Sequence, residues 1–185
     1  MTALQVKALG YALGAEVTGV DLRRPLEPAL LEALNEAWLR HLVLVFPRQN
    51  LSTTEQIAFS RCFGELDKHE FQPRYTHPDH REILLVTTKP IDGKPSDTRN
   101  TGRNWHTDPT FTSRPAKGAL LLCREKPPVG GDTMFANMYL AYETLSPRLR
   151  AFIEDMEAIH DASLVKGLDQ RDPEHVAELK RRNPP

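Results

Sequence analysis

Hydrophobic residues recur along this chain at changing periods, and each change marks an element. Leu30, Leu31, Leu34, Trp38 and Leu42 fall at helical spacing after Pro28, which predicts an amphipathic helix ending near His41. The apolar run Leu42 to Phe46 follows directly and predicts a buried strand over Val43 to Phe46. Ser52-Thr53-Thr54-Glu55 is a capping signal, because a serine hydroxyl and a glutamate carboxylate three residues apart can each serve a backbone N–H that the first turn leaves free. The helix it opens carries Ile57, Ala58, Cys62 and Phe63 on its apolar side and stops at Gly64. Upstream, Leu9 to Val20 is a glycine-punctuated, β-like stretch, followed by the turn-prone Arg24-Pro25.

The texture changes at Asp67. Through Arg81 the chain is rich in His, Pro and charge, and after a short strand signal at Ile83 to Thr87 it is irregular again from Lys89 to Arg103. Long irregular segments in compact domains commonly carry binding loops. Three strand candidates follow: Trp105 to Phe111, Ala116 to Arg124 and Thr133 to Asn137, the last two joined by a turn over Pro127 to Asp132. Tyr139 to Leu145 and Pro147 to Met156 read as short helices with Ser146-Pro147 as junction and N-cap. A short strand around Ile159 and a charged helix from Pro173 to Arg182 complete the pattern. Early helices and late antiparallel strands predict an α+β chain built on a β-sandwich or jelly roll. The expected organisation is one domain: an N-terminal helical and strand part over 1–66, loops over 67–103, and sheet over 104–185.

Size and charge narrow the classes of function. At 185 residues the chain has room for one domain with a real core. Lys plus Arg number 24 against 25 Asp plus Glu, so no basic face is implied that could hold a nucleic-acid backbone. Lys180-Arg181-Arg182 reads as a solvated helix face. Cys62 and Cys123 are far apart and neither belongs to a Cys-x-x-Cys pair, which argues against structural zinc or a disulfide framework and fits a cytoplasmic setting. The apolar patch Ala8 to Ala15 is broken by Gly10 and Gly14, so it does not read as a secretory leader. Leu42 to Phe46 is far too short to cross a bilayer, and no membrane partner is expected.

Chemistry concentrates in Asn104-Trp105-His106-Thr107-Asp108. In a strand, side chains at i and i+2 leave the same face, so His106 and Asp108 project together. A hard carboxylate oxygen beside an imidazole nitrogen suits Fe(II), and a site with few protein ligands keeps positions open for co-substrate and O₂. An exposed strand also carries such a pair as a plain solvated face, and the two residues alone leave both readings standing. A zinc hydrolase has least support, since the chain holds no His-Glu-x-x-His segment.

Several separated motifs decide between these readings. Leu13-Gly14-Ala15-Glu16, Gly19-Val20-Asp21-Leu22, Phe63-Gly64-Glu65-Leu66, the segment Asn104 to Phe111, and Gly130-Gly131-Asp132-Thr133 together resemble the taurine/2-oxoglutarate dioxygenase family, in order and in spacing, over the whole chain. The resemblance implies a double-stranded β-helix, or jelly roll, with flanking helices. It implies His106 and Asp108 as two of three iron ligands. Thr133 is implied as a partner of the distal carboxylate of 2-oxoglutarate, with Asn104 near the same acid. His69 falls where the family contacts the anionic end of its substrate, and Phe111 where an aromatic lines the pocket. Gln72, Gly102 and Ala162 stand where the taurine-cleaving pattern has tyrosine, asparagine and phenylalanine, so a larger or differently charged substrate than a small aminosulfonate is expected. His41, His77, His80 and His175 read as packed, capping or solvated, and His160 resembles a family position that is not a ligand.

The implied reaction uses Fe(II), 2-oxoglutarate and O₂ to hydroxylate a small organic anion, such as a sulfonate, sulfate ester or aryloxy acid, with release of succinate and CO₂. The family's third ligand and the arginine that pairs with 2-oxoglutarate belong to a segment following Asn183-Pro184-Pro185. The expectation is therefore a chain comprising about the first two-thirds of a longer member, lacking the C-terminal strands and nearly inactive alone. A non-catalytic binding or assembly module derived from that family is the competing reading. The resemblance is compatible with a homo-oligomer.

Overall fold

The computed structural model describes residues 3–69, 75–91, 93–96, 102, 104–161 and 173–184. The chain divides into two compact units, one of residues 1–66 with 120–155, the other of 67–119 with 156–185.

The first unit is built on a three-stranded sheet of order β1-β2-β3, with β1 at Gln5–Ala8, β2 at Ala15–Thr18 and β3 at Leu44–Val45. β1 pairs antiparallel with β2, Gln5 opposite Thr18 and Ala8 opposite Ala15, whereas β3 runs parallel to β2. That parallel pairing needs a crossover, and helix α1 (Pro28–His41) supplies it. Pro28 occupies the first turn, where its missing N–H costs nothing, and Arg40 and His41 sit in the last turn against the negative end of the helix dipole. The end of α1 is tied into the sheet: Gly14 N–H donates to His41 O at 2.8 Å, and Ala15 N–H to Val43 O at 2.9 Å.

Helix α2 (Thr53–Arg61) starts on the capping box that the sequence predicts. Glu55 N–H donates to Ser52 Oγ at 3.2 Å while Ser52 N–H donates to Glu55 Oε2 at 2.7 Å. The core lies between sheet and helices: Val17, Leu22, Leu34, Leu51 and Phe59 are buried, with Leu120 and Leu122 packed against them. Phe59 sits edge-on to Phe46 and Phe63, and Trp38 edge-on to Phe63, arrangements that suit the ring quadrupoles. Gln49 staples the loop after β2, accepting from Leu22 N–H and donating to Val20 O. Helices α3 (Met138–Glu143) and α4 (Pro147–Ile153) are capped by Asn137 and Ser146, and the Asn137 amide also donates to Ala12 O at 2.6 Å.

The second unit holds helix α5 (Pro173–Arg182) and is otherwise loop, with isolated bridges between Thr76 and Leu84 and between Ile91 and Lys94. Leu179 of α5 is buried, with Val176 and Phe111 against it. Lys180, Arg181 and Arg182 are exposed, and both arginines pair with Glu178.

Three expectations need correction. The strand expected over Leu9–Val20 is the shorter β2, preceded by a turn, and β1 comes earlier than the pattern suggested. The expected strands at Ile83–Thr87, Trp105–Phe111, Ala116–Arg124, Thr133–Asn137 and around Ile159 are absent as strands. Strand structure belongs to pairs of segments, and among the described residues these find no ladder partner. The described residues accordingly form a small sheet with helices, less than the jelly roll expected of the whole chain. Side chains that a second sheet would bury stand open instead, Leu121 at 71% and Phe135 at 55% exposed.

Truncating the fully buried Leu34 to alanine should destabilise the first unit by about 2–5 kcal/mol, read as a lower denaturation midpoint by circular dichroism. Asp21 titrates low, from its ordinary 3.8 to about 2, because the Arg23 side chain hydrogen-bonds its carboxylate. A depressed carboxylate stabilises the fold above pH ~4 and loses that contribution as pH falls toward 2. Carboxyl NMR should place the Asp21 midpoint near 2, moving up toward 3.8 in Arg23→Ala.

Candidate metal centre

His106 and Asp108 come together, though on different backbone from that expected. Trp105 to Thr107 carry no regular structure, and Asp108 to Phe111 form a turn. Asp followed by Pro is the pairing a β-turn selects at its first two positions, so Asp108-Pro109 ends the extended run where a strand was expected. The proline ring also disfavours helical backbone at Asp108. His106 and Asp108 still approach one another.

Their geometry suits a shared cation. The His106 Nδ1 lies 2.8 Å from Asn104 O, and a carbonyl only accepts, so Nδ1 carries the proton and donates it. In the neutral ring Nε2 is then the free lone pair, and it stands 3.5 Å from Asp108 Oδ1. Metal–ligand arms of about 2.1 Å separate two donors by about 3.0 Å at a right angle and about 3.4 Å at a tetrahedral one. The observed spacing lies just beyond the wide end of that range. A backbone carbonyl on the far nitrogen is also the usual way a ligating imidazole is oriented. Both side chains are more than half exposed, 54% and 64%, so a His–Asp ion pair here contributes little by itself. Among the described residues no group of three His, Cys, Asp or Glu side chains is placed to hold a metal.

The remaining predicted residues are placed as follows. Asn104 is exposed and serves the pair through its backbone carbonyl, a role the sequence did not signal. His69 is half-buried on an anchored segment: its N–H donates to Arg81 O, and its carbonyl accepts from Thr76 Oγ1, each at 2.9 Å. Phe111 packs against Leu179, as Val176 also does. Thr133 belongs to the first unit and is exposed beyond a turn in which Gly130 and Gly131 take φ of 76° and 78°. That left-handed backbone explains both glycines. Gly102 has φ of 77°, so its glycine too meets a backbone need, one that asparagine tolerates better than most residues. Gln72 and Ala162 lie outside the described residues. One contact escaped sequence reasoning altogether: His160 Nδ1 and Thr110 Oγ1 share a hydrogen bond of 2.7 Å.

Comparison with known proteins places this geometry in context. The family described as taurine catabolism dioxygenase TauD, TfdA matches residues 5–185. Among curated relatives, an (S)-phenoxypropionate/alpha-ketoglutarate-dioxygenase of Delftia acidovorans is 34% identical over 170 residues, covering 86% of this chain and 55% of its own length. An alkylsulfatase of Acinetobacter baylyi is 32% identical over 181 residues, covering 96% of this chain and 54% of its own length. Among solved structures, AAD-2 in complex with Mn(II) and N-oxalylglycine superposes with a TM-score of 0.61 at 30% identity, over 83% of this chain and 50% of that one. The chain thus spans about half the length of the curated relatives it matches, less than the two-thirds expected.

The ¹⁵N shifts of the His106 ring, recorded where the imidazole is neutral, should report the Nδ1–H tautomer. A dominant Nε2–H form would remove the lone pair from the side that faces Asp108.

Proposed function

The chain belongs to the taurine catabolism dioxygenase TauD, TfdA family, and from that premise we propose that it carries the iron-binding pair of an Fe(II)- and 2-oxoglutarate-dependent dioxygenase acting on a small organic anion. One observation carries the reading: His106 Nε2 and Asp108 Oδ1 converge at 3.5 Å while the other imidazole nitrogen is engaged by Asn104 O. Iron bound there, with 2-oxoglutarate and O₂ as co-substrates, supplies hydroxylation of a C–H bond with release of succinate and CO₂.

The protein's own part is to hold and to orient. His106 and Asp108 would hold the metal, and a site with few protein ligands would keep positions open for co-substrate and O₂. The Asn104 carbonyl fixes the ring that binds. We assign the Thr133 hydroxyl to the distal carboxylate of 2-oxoglutarate, and the Asn104 side chain to the same acid. His69, on its anchored segment, takes the anionic end of the substrate. Phe111, steadied by Leu179, forms a wall of the pocket.

The substrate class follows from chemistry common to the matched relatives. A phenoxypropionate is an anionic head on an apolar body, and so is an alkyl sulfate. Loss of the taurine-type side chains at Gln72, Gly102 and Ala162 supports the same class, because a pocket relieved of two polar partners and a ring accepts a bulkier body. Two protein ligands hold iron weakly, and we place the third, with the arginine that pairs with 2-oxoglutarate, in the half of the family's length outside the matched span.

In the full-length gene product, anaerobic addition of Fe(II) and 2-oxoglutarate should give a visible charge-transfer band. Aryloxy acids and sulfate esters should stimulate succinate release, and His106→Ala or Asp108→Ala should lower it at least ~100-fold. The 185-residue chain alone should release little or none. Zinc-supported hydrolysis of the same compounds without consumption of 2-oxoglutarate would sink the assignment.

A further inference from the structure

We propose that His160 is a positioning residue for the Asp108 carboxylate, acting through Thr110; the inference rests on the iron-site reading above. His160 lies 50 residues from Thr110 in sequence, yet its Nδ1 and the threonine Oγ1 share a 2.7 Å hydrogen bond. Thr110 belongs to the turn that Asp108 opens, and Thr112 Oγ1 ties back to Pro109 O at 3.3 Å within the same stretch.

Between Asp108 and Thr110 stands only Pro109. Its ring locks one backbone torsion near −65° and restricts the residue before it, so few soft torsions separate the threonine from the carboxylate. A displacement of Thr110 is therefore passed on to Asp108 and not absorbed. The turn is held from two sides. Phe111 packs on Leu179 of α5, and Thr110 is held by His160, whose neighbour Asp161 pairs with Lys180 of α5 at 3.7 Å. The apolar contact fixes where the turn sits, whereas a directional hydrogen bond fixes how it is rotated. Rotation is what aims Oδ1 at the point that His106 Nε2 also faces.

The contact is exposed, so water competes for both partners and its effect is modest. Removing it should weaken metal binding by about threefold to tenfold, where tenfold corresponds to about 1.4 kcal/mol. The experiment titrates the 185-residue chain with Mn(II) alone and follows paramagnetic broadening of backbone resonances, with a urea midpoint recorded for each variant. Wild type should broaden first around His106 and Asp108. His160→Ala and Thr110→Val should each shift the titration to higher Mn(II). The double variant should be no weaker than either single one, since both remove one contact. His160→Asn, whose amide reaches the place of Nδ1, should restore most of the affinity. Unchanged Mn(II) affinity in His160→Ala, or additive losses in the double variant, would overturn the proposal while leaving the iron site standing. Wild type without broadening at 106 and 108 would overturn the iron site itself. If His160→Ala lowers the urea midpoint sharply, Thr110→Val and His160→Asn carry the comparison, and equal affinity in those two would count against positioning.

Discussion

Because the carbonyl oxygen of Asn104 can only accept, the proton it draws to His106 Nδ1 decides which nitrogen faces Asp108. The rest of the site's chemistry depends on that assignment. A solvent-exposed imidazole with no such partner divides itself between two tautomers, and in one of them the lone pair points away from the carboxylate. Held as it is, the neutral ring and the carboxylate present two acceptors to one point and no donor between them. Two acceptors 3.5 Å apart repel mildly, and a cation resolves the repulsion in a way that a proton on Nε2 also could. The structure thus supplies a place for positive charge.

Helices were the most legible elements because their signals are local. Pro28 starts α1, the Ser52–Glu55 box starts α2, and the charged run from Pro173 to Arg182 is α5 to the residue. Each depends on side chains within one turn of the backbone groups they serve. β1 carried no such signal. All of its four residues are exposed, so no buried face imposes an alternation, and it exists because its register with β2 satisfies both backbones. The later strand candidates failed for the complementary reason: their apolar patterns are real, but pattern without a neighbouring ladder leaves extended chain.

At the site, the pair was singled out by an argument that the backbone supports only in part. Spacing of i and i+2 presumed a ladder, whereas His106 and Asp108 meet where irregular chain enters the Asp108-Pro109 turn. The Asp-Pro signal was present in the sequence and was outweighed by the apolar and aromatic residues around it. The contact between His160 and Thr110 was beyond any pattern, since nothing in the spacing of two polar residues so far apart announces a hydrogen bond. Gly102 shows the reverse case, a residue read as a lost pocket group whose backbone at φ of 77° gives it a structural reason of its own.

Exposure sets the remaining condition on the chemistry. Side chains that are 54% and 64% open to solvent compete with water for any cation, and the proposed oxidation of an unactivated C–H bond needs a site from which water is excluded. The side chains nearest in sequence do not provide that shelter, for Trp105 is itself 68% exposed. The relatives are about twice as long as the span they share with it. Apolar side chains such as Leu121 and Phe135 stand open on segments that find no ladder partner among the described residues, so exposure and missing pairing are one property of the same stretches and not two.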